Sequence, residues 1–303
     1  VALLLATAFT ASRARFAQAF LVALLLAGTF PAQAQRYDRG LLWRVEGAGA
    51  QASHVFGTVH LSDPRVTKLP PEVARALDGA RSFAMEVGID PSNLLPLATR
   101  MVFMDGRDLP GAVGAELFQR AAALTGTLGL PEAAVRRFRP WALAMLLIVP
   151  PQKTEEVLDF VLASTARAQG KPVYELETLD EQIAVFEGLS DGNQAEFLRQ
   201  AVDNYAQLPQ MIERIVQAYL ARDLAAMQRI NEEKNKGGAE TKQFDELFTR
   251  RLLDERNARM AERMQGQLKE GGAFVAVGAL HLHGDRGVLA ELARRGWRLT
   301  RVY

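Results

Sequence analysis

The chain has 303 residues, enough to bury a sizeable core in one large domain or two small ones. Its 49% hydrophobic and 23% charged content is ordinary for a globular protein, and a net charge of +1 offers no basic field for nucleic acid or anionic lipid. There is no cysteine, which excludes disulfides, thiolate metal ligands and a cysteine nucleophile.

The first 34 residues read as a secretory signal. Arg13 and Arg15 precede an apolar stretch over residues 19–28, and Pro31 then leads to Ala32-Gln33-Ala34, with small residues at the two positions a signal peptidase reads. The alternative, a membrane anchor, would need about 20 apolar residues. Cleavage near Ala34 would leave a periplasmic or secreted chain with no transmembrane anchor. That chain would carry 36 basic residues less these two against 35 acidic ones.

Residues 41–45 and 52–58 are strand-like runs joined by the hairpin-type Gly47-Ala48-Gly49-Ala50. If the second strand persists, positions 54, 56, 58 and 60 share a face, so His54 and His60 point the same way. A helical pattern follows at 71–77. A short apolar strand at 82–87 then carries one carboxylate, Glu86, which needs a cation, a metal or a donor if buried.

Residues 91–169 are mostly helical. One helix is expected over 111–126, an all-apolar one over 140–148, and another from Thr154 as N-cap to Gln169, with Gly170 beyond its end. Strand character returns at 172–177, where Glu175 and Glu177 share parity. Thr178 and Glu181 then form a capping box. Amphipathic helices fill 191–233, a loop is expected at 235–238, and a long helix runs over 243–269. The pattern predicts an α/β fold: a central mixed sheet formed by the two chain halves, with a large helical insertion at about 91–170 and 190–270.

The last stretch repeats the plan of the first. An apolar run from Gly272 ends in Gly278-Ala279-Leu280-His281, with Leu282 and His283 after it, then a loop, a helical pattern and a strand at 297–303. The earlier copy is Gly57-Thr58-Val59-His60-Leu61. All four histidines of the chain, His54, His60, His281 and His283, lie in these two segments. Ligands in open α/β sheets sit outside the carboxyl ends of strands, where both G-x-x-H segments would fall. Two imidazoles and a carboxylate suit Zn, Mn, Co or Fe with positions left for water. Polar caps on two βα turns are the competing reading. The glycines would let the backbone turn sharply or approach a ligand closely. Glu177, at a strand-to-helix junction, is either a site residue or a structural cap. By pattern alone Glu255 and Arg256 lie on a solvated helix face. No phosphate-binding loop, dinucleotide fingerprint, G-x-S-x-G or H-E-x-x-H is present.

Five motifs in order carry a resemblance: Gly57-Thr58-Val59-His60; Ala84-Met85-Glu86-Val87; Leu176-Glu177-Thr178 with Glu181-Gln182; Glu255-Arg256-Asn257; and Val277-Gly278-Ala279-Leu280-His281-Leu282. Together they resemble the TraB/GumN family, which includes the Tiki proteins. The resemblance implies a fold related to erythromycin esterase and the haem-binding ChaN proteins. It also implies divalent-metal-dependent hydrolysis, peptidase-like as in Tiki relatives. On that basis His60, His281, Glu86 and Glu177 are candidate metal ligands for Mn, Co or Zn. Glu86, Arg256 and Asn257 are candidate catalytic residues, Arg256 for a substrate carboxylate or developing oxyanion. The implied substrate is a peptide or small molecule. The alternatives are a non-catalytic haem- or metal-binding protein and an accessory protein of polysaccharide export.

Overall fold

Six strands form one sheet in a computed structural model that describes residues 37–47, 51–88, 94–149, 157–233 and 238–303. The signal segment, the residues around the expected Thr154 cap and most of the 235–238 loop lie outside the described residues. The strands are β1 (Leu42–Glu46), β2 (Ser53–Thr58), β3 (Ser82–Met85), β4 (Val173–Glu175), β5 (Ala273–Gly278) and β6 (Arg298–Arg301). Their order across the sheet is β4-β3-β5-β2-β1-β6. β5 is parallel to both β2 and β3, and β4 is parallel to β3. β1 is antiparallel to β2 and to β6, so the sheet is mixed, as the sequence predicts.

Position in the sheet explains the strand sequences. β5 reads Ala-Phe-Val-Ala-Val-Gly and is buried along nearly all its length, the continuous apolar run of a strand covered on both faces. The edges are protected differently. β4 has only three residues, and β6 carries Arg298 and Arg301 outward, which discourages pairing with another chain.

Two of the βαβ passages start from the central pair and leave in opposite directions. From β2 the chain crosses β5 to reach β3, through the helix Pro71–Asp78. From β5 it crosses β2 and β1 to reach β6, through Val288–Arg294. Right-handed crossovers running opposite ways place those helices on opposite faces. A crevice opens between the strands where the direction reverses, at the carboxyl ends of β2 and β5. The two G-x-x-H segments leave the sheet there.

The helices between β3 and β5 build a second apolar cluster beside the one around the sheet. Pro140–Ile148 lies within it, with Trp141, Ala142, Leu143, Ala144 and Leu147 buried, as expected of a helix apolar on all sides. Phe186, Phe197, Phe244 and Phe248 pack ring against ring in the same cluster, Phe197 and Phe248 with centroids 4.9 Å apart.

Several local expectations need correction. The helix expected over 111–126 is two helices, Leu109–Val113 and Ala115–Gly126, broken at Gly114, whose φ of +82° no L-residue holds comfortably. The long helix over 243–269 is interrupted by a π-helical turn at Arg250–Asp254 and by a break at Met264, giving Ala239–Thr249, Glu255–Arg263 and Gln265–Glu270. β2 ends at Thr58, so strand parity does not set the direction of His60. β4 ends at Glu175, so Glu175 and Glu177 do not share a strand face: Glu175 is exposed and Glu177 is buried. Gly170 does end its helix with φ +71°. Among the described residues no helix is long and apolar enough to cross a membrane.

Candidate functional site

Glu86 follows the last residue of β3, and its backbone is tied to the next parallel segment by the Glu177 N–H donating to Glu86 O at 2.8 Å. This pairing stands two glutamates side by side at the carboxyl edge of the sheet. Each is buried, at 6% and 1% exposure, so each needs partners. The helix Glu255–Arg263 supplies them. Arg256 Nη2 donates to Glu86 Oε2 (2.6 Å) and to Glu177 Oε2 (2.7 Å), and its Nε donates to Glu177 Oε2 (2.9 Å). Arg259 Nη2 donates to Glu177 Oε1 (2.8 Å), and Arg263 reaches Glu181 and Leu176 O. Arg256, Arg259 and Arg263, spaced three and four apart, form one helix stripe that docks onto the β4 junction. The charged face that pattern alone assigns to solvent is thus partly an internal ionic seam.

Glu86 Oε1 accepts the Gly278 N–H at 2.6 Å and lies 3.5 Å from His281 Nε2. His281 is buried, at 5% exposure. Its Nδ1 lies 2.6 Å from Asn257 Oδ1, while Asn257 Nδ2 donates to Arg286 O at 2.9 Å. That second bond fixes the Asn257 amide, so its oxygen accepts from Nδ1–H, and the His281 Nε2 lone pair is left facing the carboxylate. Burial and the Arg256 charge lower the His281 pKa to about 4 against the pull of Glu86, so the ring is neutral at pH 7. Burial would raise the pKa of Glu86. The charges of His281, Arg256 and His60, with the Gly278 N–H, overcome it and hold the carboxyl at about 2.

His60 stands two residues beyond β2, with its ring 64% open. Its Nδ1 is 2.9 Å from Asp159 Oδ2, and the other oxygen of Asp159 accepts from Thr58 Oγ1 at 2.6 Å. Desolvation pulls the His60 pKa down, but the Asp159 charge and hydrogen bond, helped by Glu86, outweigh it and lift it to about 9. Solvent around so open a ring screens part of that rise. The His60 charge acts on both Glu86 and His281.

The motif glycines serve close packing rather than a turn. A Cβ on Gly57 would lie 2.8 Å from Leu282 Cδ1 and 3.0 Å from Ala279 Cα, inside the other G-x-x-H motif. A Cβ on Gly278 would lie 3.3 Å from both Glu86 Oε1 and His281 Cδ2. Each glycine therefore makes room for the other motif or for the site itself.

Of the sequence candidates, Glu86, Glu177, Arg256, Asn257 and His281 come together in one polar cluster, and His60 sits at its margin. His54 is left out: it lies four residues back along β2, about 13 Å of strand from Thr58. His283 turns away to Asp38, at 3.2 Å. Glu255 pairs with Arg250 and does not enter the cluster. Sequence reasoning missed Asp159 and Arg259. The signal for Asp159 was a single acid within Leu158-Asp159-Phe160-Val161-Leu162; that for Arg259 was its spacing from Arg256. Among the described residues no three His, Asp or Glu side chains are grouped as a ready-made metal site.

Stability of the ion-free protein should respond to pH in opposite senses at the two ends of the range. The folded pKa of His281 is depressed, so its contribution is present above about 6.5 and is lost as the pH falls through about 4. That of Glu86 is present above about 4.5 and is lost as the pH falls through about 2. His60 is raised, so its contribution is complete below about 6.5 and is lost as the pH rises through about 9. Urea midpoints should therefore fall between pH 6.5 and 4, and His281→Asn should flatten that arm. An unchanged slope in the variant would remove His281 as its cause.

A carboxylate–imidazole–guanidinium cluster at the switch point of a mixed sheet defines an α/β protein with a polar site built from paired G-x-x-H motifs. The chain belongs to the TraB/PrgY/gumN family, whose family model matches residues 41–301. It is similar to the "uncharacterized protein YbaP" of Shigella flexneri, at 24% identity over 251 residues, covering 81% of this chain and 89% of that protein. The protein of the same description from Escherichia coli (strain K12) gives the same identity and coverage. No solved structure gives a significant match.

Proposed function

We propose that the chain is a divalent-metal-dependent hydrolase, peptidase-like in its substrate, with Mn, Co or Zn held by His281 and Glu86 and the set closed by His60. The observation that carries this reading is the tethering of both histidines through Nδ1, His60 to Asp159 and His281 to Asn257. That arrangement leaves each Nε2 as the reactive nitrogen, as in metal-binding histidines whose other nitrogen is held by a carboxylate or carbonyl. The donor pair fits an ion. Ligands about 2.0–2.2 Å from a tetrahedral ion stand roughly 3.4 Å apart, and His281 Nε2 and Glu86 Oε1 are separated by 3.5 Å. Both present lone pairs near neutral pH, since His281 is neutral and Glu86 ionised.

A bound divalent ion supplies Lewis acidity, polarising a carbonyl and acidifying a water. The chain's own residues prepare the rest. Gly278 N–H and Arg256 fix both oxygens of Glu86, so the carboxylate enters the reaction already oriented. Arg256 gives its Nε and Nη2 to the two glutamates and its Nη1 to Leu252 O, so it acts as a positioning residue for Glu86 rather than a fork for a substrate carboxylate. Asp159 keeps His60 protonated in the ion-free chain, so an ion taken through His60 Nε2 must release that proton. The compartment we propose, periplasmic or secreted, rests on the signal pattern of residues 13–34.

The test is metal content and hydrolysis of a peptide library by purified protein offered Mn, Co and Zn in turn. Wild type should bind one of them with proton release and cleave peptides. His281→Ala should bind it at least ten-fold more weakly, two remaining ligands holding a labile ion poorly. Full metal content in His281→Ala would refute the site. Metal binding by wild type with no cleavage would replace the hydrolase by a binding protein.

A further inference from the structure

The two histidines of the cluster are held in different ways. His281 is 5% exposed, so packing as well as Asn257 fixes its ring. The His60 side chain is 64% exposed, and a ring that open owes its direction to whatever binds it. Asp159 is that partner, and its carboxylate is fixed in turn. Oδ1 accepts the Thr58 hydroxyl at 2.6 Å, which leaves Oδ2 for His60 Nδ1, 2.9 Å away. The plan repeats the one at His281, where the oxygen of Asn257 takes Nδ1–H and its amide nitrogen donates to Arg286 O. At His60 the acceptor is charged; at His281 it is neutral.

Asp159 is placed for His60 rather than for its own helix. It stands in the first turn of Leu158–Ala168, where backbone amides favour a negative charge, yet both its oxygens reach off that helix, to the end of β2 and the residue two beyond. It is 6% exposed, and a carboxylate in so closed a place is costly unless its donors are good. The backbone it reaches is pinned at three points. Leu158 N–H donates to Leu61 O at 3.2 Å, the buried Tyr219 hydroxyl donates to Gly57 O at 2.8 Å, and Gly57 N–H donates to Leu41 O at 2.8 Å. Residues 57–61 are thereby a fixed mount, on which one carboxylate sets the His60 ring.

We propose that Asp159, itself held by Thr58, is the positioning residue of the His60 half of the site: it fixes the ring through Nδ1, leaves Nε2 free for the ion, and adds a negative charge behind the imidazole that favours a cation. The inference rests on the metal-dependent reading for its ion and on the Thr58–Asp159–His60 chain for its geometry, and the two are separable. Loss of such a partner of a metal-binding histidine lowers ion affinity about 10–100-fold. Because Asp159 acts through His60, its effect exists only while His60 is present.

Mn, Co and Zn are titrated in turn into wild type, Asp159→Ala, Asp159→Asn, Thr58→Val and His60→Ala, and into Asp159→Ala combined with His60→Ala. For the ion that wild type binds, Asp159→Ala should weaken affinity about 10–100-fold. Asp159→Leu, which fills the same space, replaces it should that variant fail to fold. Asp159→Asn should show an intermediate loss, because an amide oxygen can still take Nδ1–H, as Asn257 does at His281. Thr58→Val should shift affinity in the same direction. In the His60→Ala background, Asp159→Ala should change nothing further. NMR of the ion-free protein gives a second readout: a downfield ring N–H signal, absent from His60→Ala, should be lost in Asp159→Ala and kept in Asp159→Asn. Wild-type affinity in a folded Asp159→Ala or Asp159→Asn protein, or an equal loss with and without His60, would overturn the positioning role and leave the hydrolase standing. Weaker ion binding in Asp159→Ala with no peptide cleaved by wild type would support the role and overturn the hydrolase. A wild type that binds none of the three ions would overturn both.

Discussion

Arg256→Met should cost about 3–5 kcal/mol of folding stability, the range found when one partner of a buried ion pair is removed and the other is left behind. The size follows from what is stranded. Glu86 and Glu177 are nearly inaccessible, and Arg256 is the side-chain cation that bonds to both. Arg259 remains beside Glu177, so Glu86 bears most of the loss, with the Gly278 N–H as its surviving donor. The deficit should shrink in acid, because an unpaired buried carboxyl takes up a proton and sheds its charge. Urea unfolding of wild type and variant at pH 7 and pH 4.5 measures both effects. A loss under 1 kcal/mol, or one that grows in acid, would mean that the glutamates find other partners.

On the hydrolase reading proposed above, Glu86→Gln should weaken ion binding and reduce hydrolysis with it by at least about ten-fold, since it removes a charged ligand of the ion. The amide keeps the shape and can still accept from Gly278 or Arg256, so the fold should survive. It loses the charge that makes Oε1 a ligand opposite His281 Nε2. Glu177→Gln is the contrasting variant: its carboxylate touches Arg256 and Arg259 and reaches no histidine, so it should lose stability more than ion affinity. Metal titration and turnover on the two variants separate a ligand from a support. Glu86→Gln with full turnover would reduce Glu86 to a structural partner of Arg256.

Much of this arrangement was legible in the sequence because it is written in local patterns. The apolar runs of β2, β3 and β5, each closed by a polar residue or a G-x-x-H motif, show where strands end and where ligands gather. Strand order is not local. β5 slots between β2 and β3, pairing His54 with Phe274 and Ser82 with Ala273, and no periodicity reports on a partner so distant in the chain. The π-helical turn at Arg250–Asp254 contains neither glycine nor proline, so nothing in Arg-Arg-Leu-Leu-Asp marks the break. Arg256 is hidden for another reason. Its helix is charged throughout, and only the packing of that helix on Glu177 separates the buried arginine from exposed neighbours such as Glu255. Asp159 reaches His60 from a different helix, and tertiary structure alone makes that pair.

The place of β5 in the sheet governs the order in which the molecule comes into being. It is one of the two innermost strands, yet it is the fifth of the six in chain order, at residues 273–278. While the ribosome is still working, β2 and β3 have no strand to join them, and Glu86 lacks both the Gly278 amide and His281. Pairings of such long sequence separation form late and slowly. A chain stopped before residue 273 would lose the middle of its sheet along with His281 and the Gly278 amide of its polar centre. The polar cluster therefore cannot assemble until synthesis has passed His281.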